Sequence, residues 1–327
     1  MTRIELPMYD PIIDTYNIYG SITSVISNKE ECWAWIYNNF IQIRYVYDWD
    51  ATFFDNHHLL IDNCPWLNHH IVPKFFIRQK WGSLTDMIID SLNLNNYVYL
   101  YVDRFHIKKY QGYKRKSLWH EIFIYGYDTE RKVFLVADNL LEGKYIRTEC
   151  SFNEVELGYS AINSNNHFFL NIHLLSVKDE KEFTIKVPQI IMSIDNYLNS
   201  SNSIDVSFKE NVIFGRNVIL HYAKRISQEN EDKFLDRRAF HLFWEHKNLM
   251  LKRLLHLQKV YIDINNELIE NYKCVENNFL IIRNMTLKYN LTKNKSLLPR
   301  IHYEIINNLN REQDILCKLT ASVNYEY

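Results

Sequence analysis

Apolar positions in the first half of the chain fall into two alternating rhythms. Tyr97 to Val102 is β-branched and aromatic, Glu121 to Tyr127 resumes that pattern, and Val133 to Ala137 returns after the turn-like run Asp128-Thr129-Glu130-Arg131-Lys132. These stretches predict strands, with a fourth at His167 to His173. Ser27-Asn28-Lys29-Glu30-Glu31 predicts a capped helix start, because Ser27 or Asn28 can cap while a glutamate three residues on closes the reciprocal bond. Cys32 then falls in the first or second turn, and Trp33, Ile36 and Phe40 give that helix its apolar stripe. Ser83 to Leu92 predicts a second helix opened by a Ser cap, and the polar, His-rich stretch from Asp48 to His70 predicts loop.

The character changes at Val177, through the charged stretch Lys178 to Glu182 and the polar run Asn199 to Ser203. Beyond it the pattern is helical: Phe240, Phe243, Trp244, Leu251, Leu254 and Leu255 fit one face of a long helix, and helical spacing recurs over Val275–Leu287 and Leu298–Leu319. Three regions follow: a catalytic domain over 1–176, a linker region over 177–204 and a helical C-terminal domain over 205–327. The class is α+β, with an antiparallel sheet in the first domain.

Composition narrows the chemistry. Lys and Arg total 38 against 39 Asp and Glu, so no net field draws the 327-residue chain to nucleic acid or an anionic membrane. The five cysteines are scattered without a CxxC pair, which argues against a disulfide framework and fits a reducing cytoplasm. No apolar run has the length of a signal peptide or membrane span, so a soluble, intracellular protein is expected. Seven glycines form neither GxGxxG nor GxxxxGK[ST], which disfavours nucleotide chemistry and implies that any acyl group handled arrives already activated. His57-His58 and His69-His70 lie in the polar stretch, and His120-Glu121 lacks the second His of HExxH, so no metal site is expected.

One constellation carries chemistry. Pairing the strands around Ile122 and Leu135 about a turn near Glu130 sets Ala137 to Asn139 opposite the residues just after His120, and the period of two makes His120 and Asp138 diagonal neighbours on one face. A carboxylate on one ring nitrogen fixes the tautomer and leaves the other free to take a proton. Asp103 and Asp128 are rival orienters, Asp128 in a turn where Asp serves the backbone. Cys32 is the best candidate nucleophile because a helix start lowers a thiol's pKa.

The run Tyr97 to Asp103, a basic tyrosine-containing loop, His120 to Asp128 and Val133 to Asp138 together resemble the N-terminal domain of the butirosin biosynthesis H protein family. That family is similar in fold to the bacteriocin-processing (C39) papain-like peptidases, with an early Cys, a His opening a strand and an Asp ending the next. The resemblance covers roughly residues 20–175. It implies a papain-like domain with an N-terminal Cys helix, Cys32 as nucleophile, His120 as general base then acid, and Asp138 as orienter. It also implies an amide synthetase that takes an acyl chain from an acyl carrier protein thioester and passes it to an amine or diamine. No cofactor of the enzyme's own is implied, since phosphopantetheine enters on the carrier protein. A Gln shortly before the Cys is missing here; Ser24, Ser27 and Asn28 are the candidate oxyanion donors, beside the Cys32 N–H. A papain-like peptidase or thioester hydrolase is the alternative. The helical C-terminal domain is expected to wall the cleft and shape an acyl tunnel.

Overall fold

A computed structural model describes residues 2–140, 143–178, 182–202, 211–228, 233–260 and 264–322. The chain is a mixture of helices and antiparallel sheet, and it divides into two compact units, Met1–Cys32 with Ile61–Glu182, and Trp33–Leu60 with Phe183–Tyr327.

The first unit is built on seven antiparallel strands. In chain order they are β1 (Arg3–Glu5), β4 (Leu67–Val72), β5 (Tyr97–Asp103), β6 (Trp119–Asp128), β7 (Val133–Asn139), β8 (Tyr145–Ser151) and β9 (Ile172–Val177); β2 (Ile43–Val46) and β3 (Ala51–Phe54) belong to the other unit, and the short helices α3 (Leu60–Asn63) and α4 (Lys74–Lys80) stand before and after β4 in the chain. Their order across the sheet is β4-β9-β5-β6-β7-β8, and β1 also pairs with β6. β5 is buried along its whole length, and its sequence shows why. Tyr97, Tyr99 and Tyr101 face one way, with Tyr97 stacked on Phe123 of β6. Val98, Leu100 and Val102 face the other, towards α5 (Leu84–Asn93) and α6 (Phe152–Ser160). Alternation here is aromatic against aliphatic, which suits a strand covered on both faces.

Helix α1 (Asn17–Ile26) lies against β6 and β7. Its close approach depends on Gly20, where a Cβ would sit 2.5 Å from the ring of Tyr145 on β8. α5 starts as expected, its N-cap Ser83 accepting from Asp86 N–H, and α6 is opened by a complete capping box of Ser151 and Glu154. The 128–132 turn closes with Arg131 N–H donating to Asp128 and Lys132 at φ 55°.

The second unit takes most of α2 (Cys32–Asn39), then β2 (Ile43–Val46) and β3 (Ala51–Phe54), which form a three-stranded antiparallel sheet with β10 (Val212–Phe214). The remainder is helical: α7 (Val187–Asn199), α8 (Arg216–Gln228), α9 (Arg237–Val260), α10 (Asn266–Thr292) and α11 (Leu297–Ser322). Two buried polar devices hold it. Arg253 of α9 donates from Nε to the Tyr37 carbonyl (2.7 Å) and from Nη2 to the Phe40 carbonyl (2.8 Å), so the guanidinium caps the C-terminal end of α2. Lys247 of α9 lies 2.8 Å from Glu312 of α11, and the same carboxylate accepts from Tyr197 and Tyr272, all four side chains out of contact with water.

Several sequence expectations change. Ser27 is the C-cap of α1, its N–H donating to Thr23, and α2 begins only at Cys32. The 48–70 stretch contains β3 and most of β4, since Phe53, Phe54 and Leu67 supply enough buried apolar surface to pair. The 167–173 segment is a 3₁₀ turn over His167–Phe169 before β9 begins at Ile172. The 177–204 region contains α7, and residues 33–60 belong with the C-terminal part because β2 pairs with β10. Ser203 and residues 179–181 lie outside the described residues.

Candidate functional site

The β6–β7 ladder pairs Phe123 with Ala137 and Ile124 with Val136, then slips by one residue before Gly126 pairs with Leu135. Continuing from Phe123–Ala137 sets Asp138 opposite Ile122, and His120 two residues further along the same face. His120 Nδ1 lies 3.2 Å from Asp138 Oδ2 and 2.9 Å from the Glu121 carbonyl; Nε2 lies 3.6 Å from Glu121 Oε2. The His120 side chain is one quarter exposed, while Asp138 is wholly buried.

A wholly buried carboxylate stays ionised only if donors surround it. Asp138 has them on both oxygens. Oδ1 accepts from Asn17 Nδ2 at 2.6 Å and from its neighbour's N–H, Asn139, at 2.6 Å. Oδ2 accepts from the Tyr110 hydroxyl, with Arg104 Nη2 at 3.7 Å and the Arg104 guanidinium stacked 4.3 Å above the Tyr110 ring. Burial, the largest influence, works to raise Asp138, but His120, Arg104 and Tyr110 together hold it below the usual carboxylate range. For His120 burial is again the largest influence and pulls downwards; Asp138 and Glu121 outweigh it and leave the imidazole above its ordinary value.

Asn17 is the first residue of α1, and its placement follows from the Gly20 contact that draws the helix onto the sheet. Besides Asp138 it reaches the Ala137 carbonyl (3.3 Å) and the Glu121 carbonyl (3.4 Å), while its own oxygen accepts from Ser21 Oγ. The Glu121 carboxylate is steadied by the Tyr101 hydroxyl at 2.9 Å. Around Tyr101 stand Phe168 and Phe169, with ring centroids 5.4 and 5.1 Å away, and Trp119 packs on Phe169 at 5.3 Å.

Cys32 is not part of this arrangement. No hydrogen bond joins its thiol to His120 among the described residues; the side chain is fully buried, and burial, with Glu31 second, pushes the thiol up to about 12. Cys64 is likewise buried, and that burial pushes its thiol up to about 12. The cysteine that feels Asp138 is Cys150 of β8, also buried and also raised to about 12, first by burial and then by Glu154 and Asp138. Ser27 and Asn28 donate elsewhere, to the Asp10 carbonyl and the Tyr9 hydroxyl. Asp103 caps the turn after β5, accepting from Phe105 N–H, Leu118 N–H and Ser117 Oγ.

Asn17, Arg104, Tyr110 and Glu121 are the site residues that periodicity does not reveal. Only Glu121 carries a local signal, being adjacent to His120 in sequence.

No helix among the described residues is long and apolar enough to cross a membrane. No family model matches the chain, and no curated protein matches it.

Proposed function

We propose that the chain is an acyl-transferring enzyme of papain-like fold that forms amides from an acyl thioester and an amine, with His120 moving the proton. The observation that carries this is the His120–Asp138 pair: a buried, fully coordinated carboxylate on one imidazole nitrogen, and a second nitrogen left to act. With Nδ1–H directed at Asp138 and the Glu121 carbonyl, neutral His120 presents its Nε2 lone pair as the base. That nitrogen takes a proton from the attacking amine and returns it to the departing thiol. The carbon–sulfur bond breaks as the carbon–nitrogen bond forms, with no nucleotide consumed. Glu121, 3.6 Å from Nε2, supplies negative charge that attracts the ammonium end of a diamine, whose other, uncharged amine meets the base. The rings of Trp119, Phe168 and Phe169 offer an apolar wall for the acyl chain. An acyl carrier protein bearing phosphopantetheine is the donor that suits such a thioester.

Direct attack by the amine is the favoured route, because the Cys32 side chain is fully buried, makes no hydrogen bond to His120 among the described residues, and is pushed up to about 12 by burial and then Glu31. The place of Cys32 as first residue of α2 favours a second route, in which its thiol carries the acyl group before the amine receives it.

Intact-protein mass spectrometry with an acyl-loaded carrier protein, before and after adding a diamine, tests both. Amide formed by the wild type and by Cys32→Ala, but reduced about 10²–10⁴-fold in His120→Ala, supports direct attack. A wild-type-only adduct at Cys32 discharged by the amine supports the covalent route, and free acid in place of amide identifies a hydrolase. Equal turnover in His120→Ala and wild type would refute the assignment of His120.

A further inference from the structure

The segment that brings Arg104 and Tyr110 to Asp138 also carries a run of cations. Between Arg104 and His120 the chain has no acidic residue, and Lys108, Lys109, Lys114, Arg115 and Lys116 are all exposed. Among the described residues none of the five enters a salt bridge. Nearby carboxylates are committed elsewhere: Glu154 accepts from the Lys108 N–H and from Ser151, and Glu149 holds Arg131. Like charges gathered so closely repel one another, and it is the backbone that holds them. Tyr110 N–H donates to the Ile107 carbonyl, Tyr113 N–H to the Tyr110 carbonyl, Lys114 N–H to the Phe105 carbonyl, and the N–H groups of Arg115 and Lys116 to the Gly112 carbonyl. Asp103 closes the base of the loop by accepting from Phe105, Ser117 and Leu118. Cations fixed by overlapping turns form a preformed surface, which a partner can meet without first ordering it.

That surface adjoins the candidate site. The Tyr110 ring, next in sequence to Lys109, lies 6.3 Å from the His120 ring between centroids. Lys116 stands four residues before His120, within about 14 Å of it along the chain. We propose that residues 108–116 are the docking surface for an acidic protein face, that of the carrier that delivers the thioester; the inference rests on the acyl-transfer reading and names where its partner binds. Charge complementarity selects this occupant. The chain as a whole has a formal net charge of −1, so these five cations are set against an excess of acid elsewhere. An extended polyanion such as nucleic acid, or a broad anionic membrane, meets that acid as well, whereas a small acidic protein meets the loop alone. Exposed complementary charge raises the association rate and fixes orientation more than it adds affinity. A partner that must arrive, deliver and leave needs that combination. Docked here, the carrier leads the anionic phosphodiester of its phosphopantetheine arm past Lys116 towards His120.

Fluorescence anisotropy of labelled holo acyl carrier protein, titrated with the full chain, tests docking without turnover. Saturable binding that weakens as salt is added is expected. Lys109→Glu/Arg115→Glu should weaken it at least about tenfold. Lys288→Glu/Lys318→Glu, the same change in net charge at exposed positions of α10 and α11, should leave it unchanged, with circular dichroism confirming that both variants fold. Turnover separates docking from chemistry. With carrier-borne acyl groups the loop variant should lose kcat/KM by the same factor, and with an acyl thioester of N-acetylcysteamine, which has no protein to dock, it should match wild type. Absence of carrier binding by wild type, equal weakening in both double variants, or tighter binding of a DNA duplex or of phosphatidylglycerol vesicles than of the carrier overturns the proposal. No amide from either thioester with wild type would instead refute the acyl-transfer reading, and carrier binding lost only in the loop variant would still support the docking surface.

Discussion

Tyr110→Phe is the most informative single change at the Asp138 cluster. It removes one hydroxyl and keeps the ring on which Arg104 stacks, so packing is conserved while Asp138 Oδ2 loses its nearest donor. A hydrogen bond to a buried charged group contributes about 1.5–3 kcal/mol, and Asp138 is wholly buried. The loss should lie near 2 kcal/mol at neutral pH. Its pH dependence follows from linkage. Asp138 is held below the ordinary carboxylate range, so its contribution to stability is present above the unfolded-state value, near 4, and is lost as pH falls through the lower folded value. Tyr110→Phe weakens that contribution, and the gap between wild type and variant should narrow in acid. Urea unfolding of both proteins at pH 7 and in progressively acidic buffers measures it. A difference within about 0.5 kcal/mol at pH 7, the range of an ordinary surface change, would refute the view that Tyr110 sustains the carboxylate, as would a gap that does not vary with pH.

Other expectations follow from named contacts. Glu121→Gln removes one of the two carboxylates that hold His120 above its ordinary value, so the acidic limb of the rate profile should move to lower pH, and KM for the amine should rise more than kcat falls. Lys247→Met strips the cation from the Lys247–Glu312 pair and should cost about 3–5 kcal/mol in urea unfolding, with Lys247→Met/Glu312→Gln, which removes the stranded charge and keeps a polar partner for Tyr197 and Tyr272, recovering part of that loss. Gly126→Ala drives a Cβ to 2.4 Å from the Ile4 carbonyl, a backbone atom that cannot yield without β1 leaving β6; hydrogen exchange at Leu6 N–H, bonded to the Tyr125 carbonyl, should accelerate.

Elements with a regular period were the ones legible in the sequence. The 97–103, 119–128 and 133–139 strands appear where aromatic and β-branched residues cluster, and the hairpin register that sets His120 near Asp138 follows from the period of two around a recognisable turn. The helix start near Cys32 was less legible, because Ser27 and Asn28 suit the end of one helix as well as the beginning of the next, and the chain uses Ser27 to close α1. Asn17, Arg104 and Tyr110 reach Asp138 from loops and from a helix over 100 residues away, contacts that no local pattern encodes. His69 reads locally as part of a polar loop, since its partner His173 lies 104 residues on.

The donors gathered on Asp138 bear on how the first unit comes together in time. Asn17 is separated from Asp138 by 121 residues and Tyr110 by 28, while Asn139 is adjacent. Closing so long a loop is slow and is rewarded only once the distant contact forms. Until α1 and the segment around Tyr110 have both docked, enclosing this carboxylate carries a desolvation penalty that opposes collapse around it. Asp138 thus rejects compact but incomplete arrangements of the chain, and the carboxylate that holds His120 also makes the first unit close as a whole.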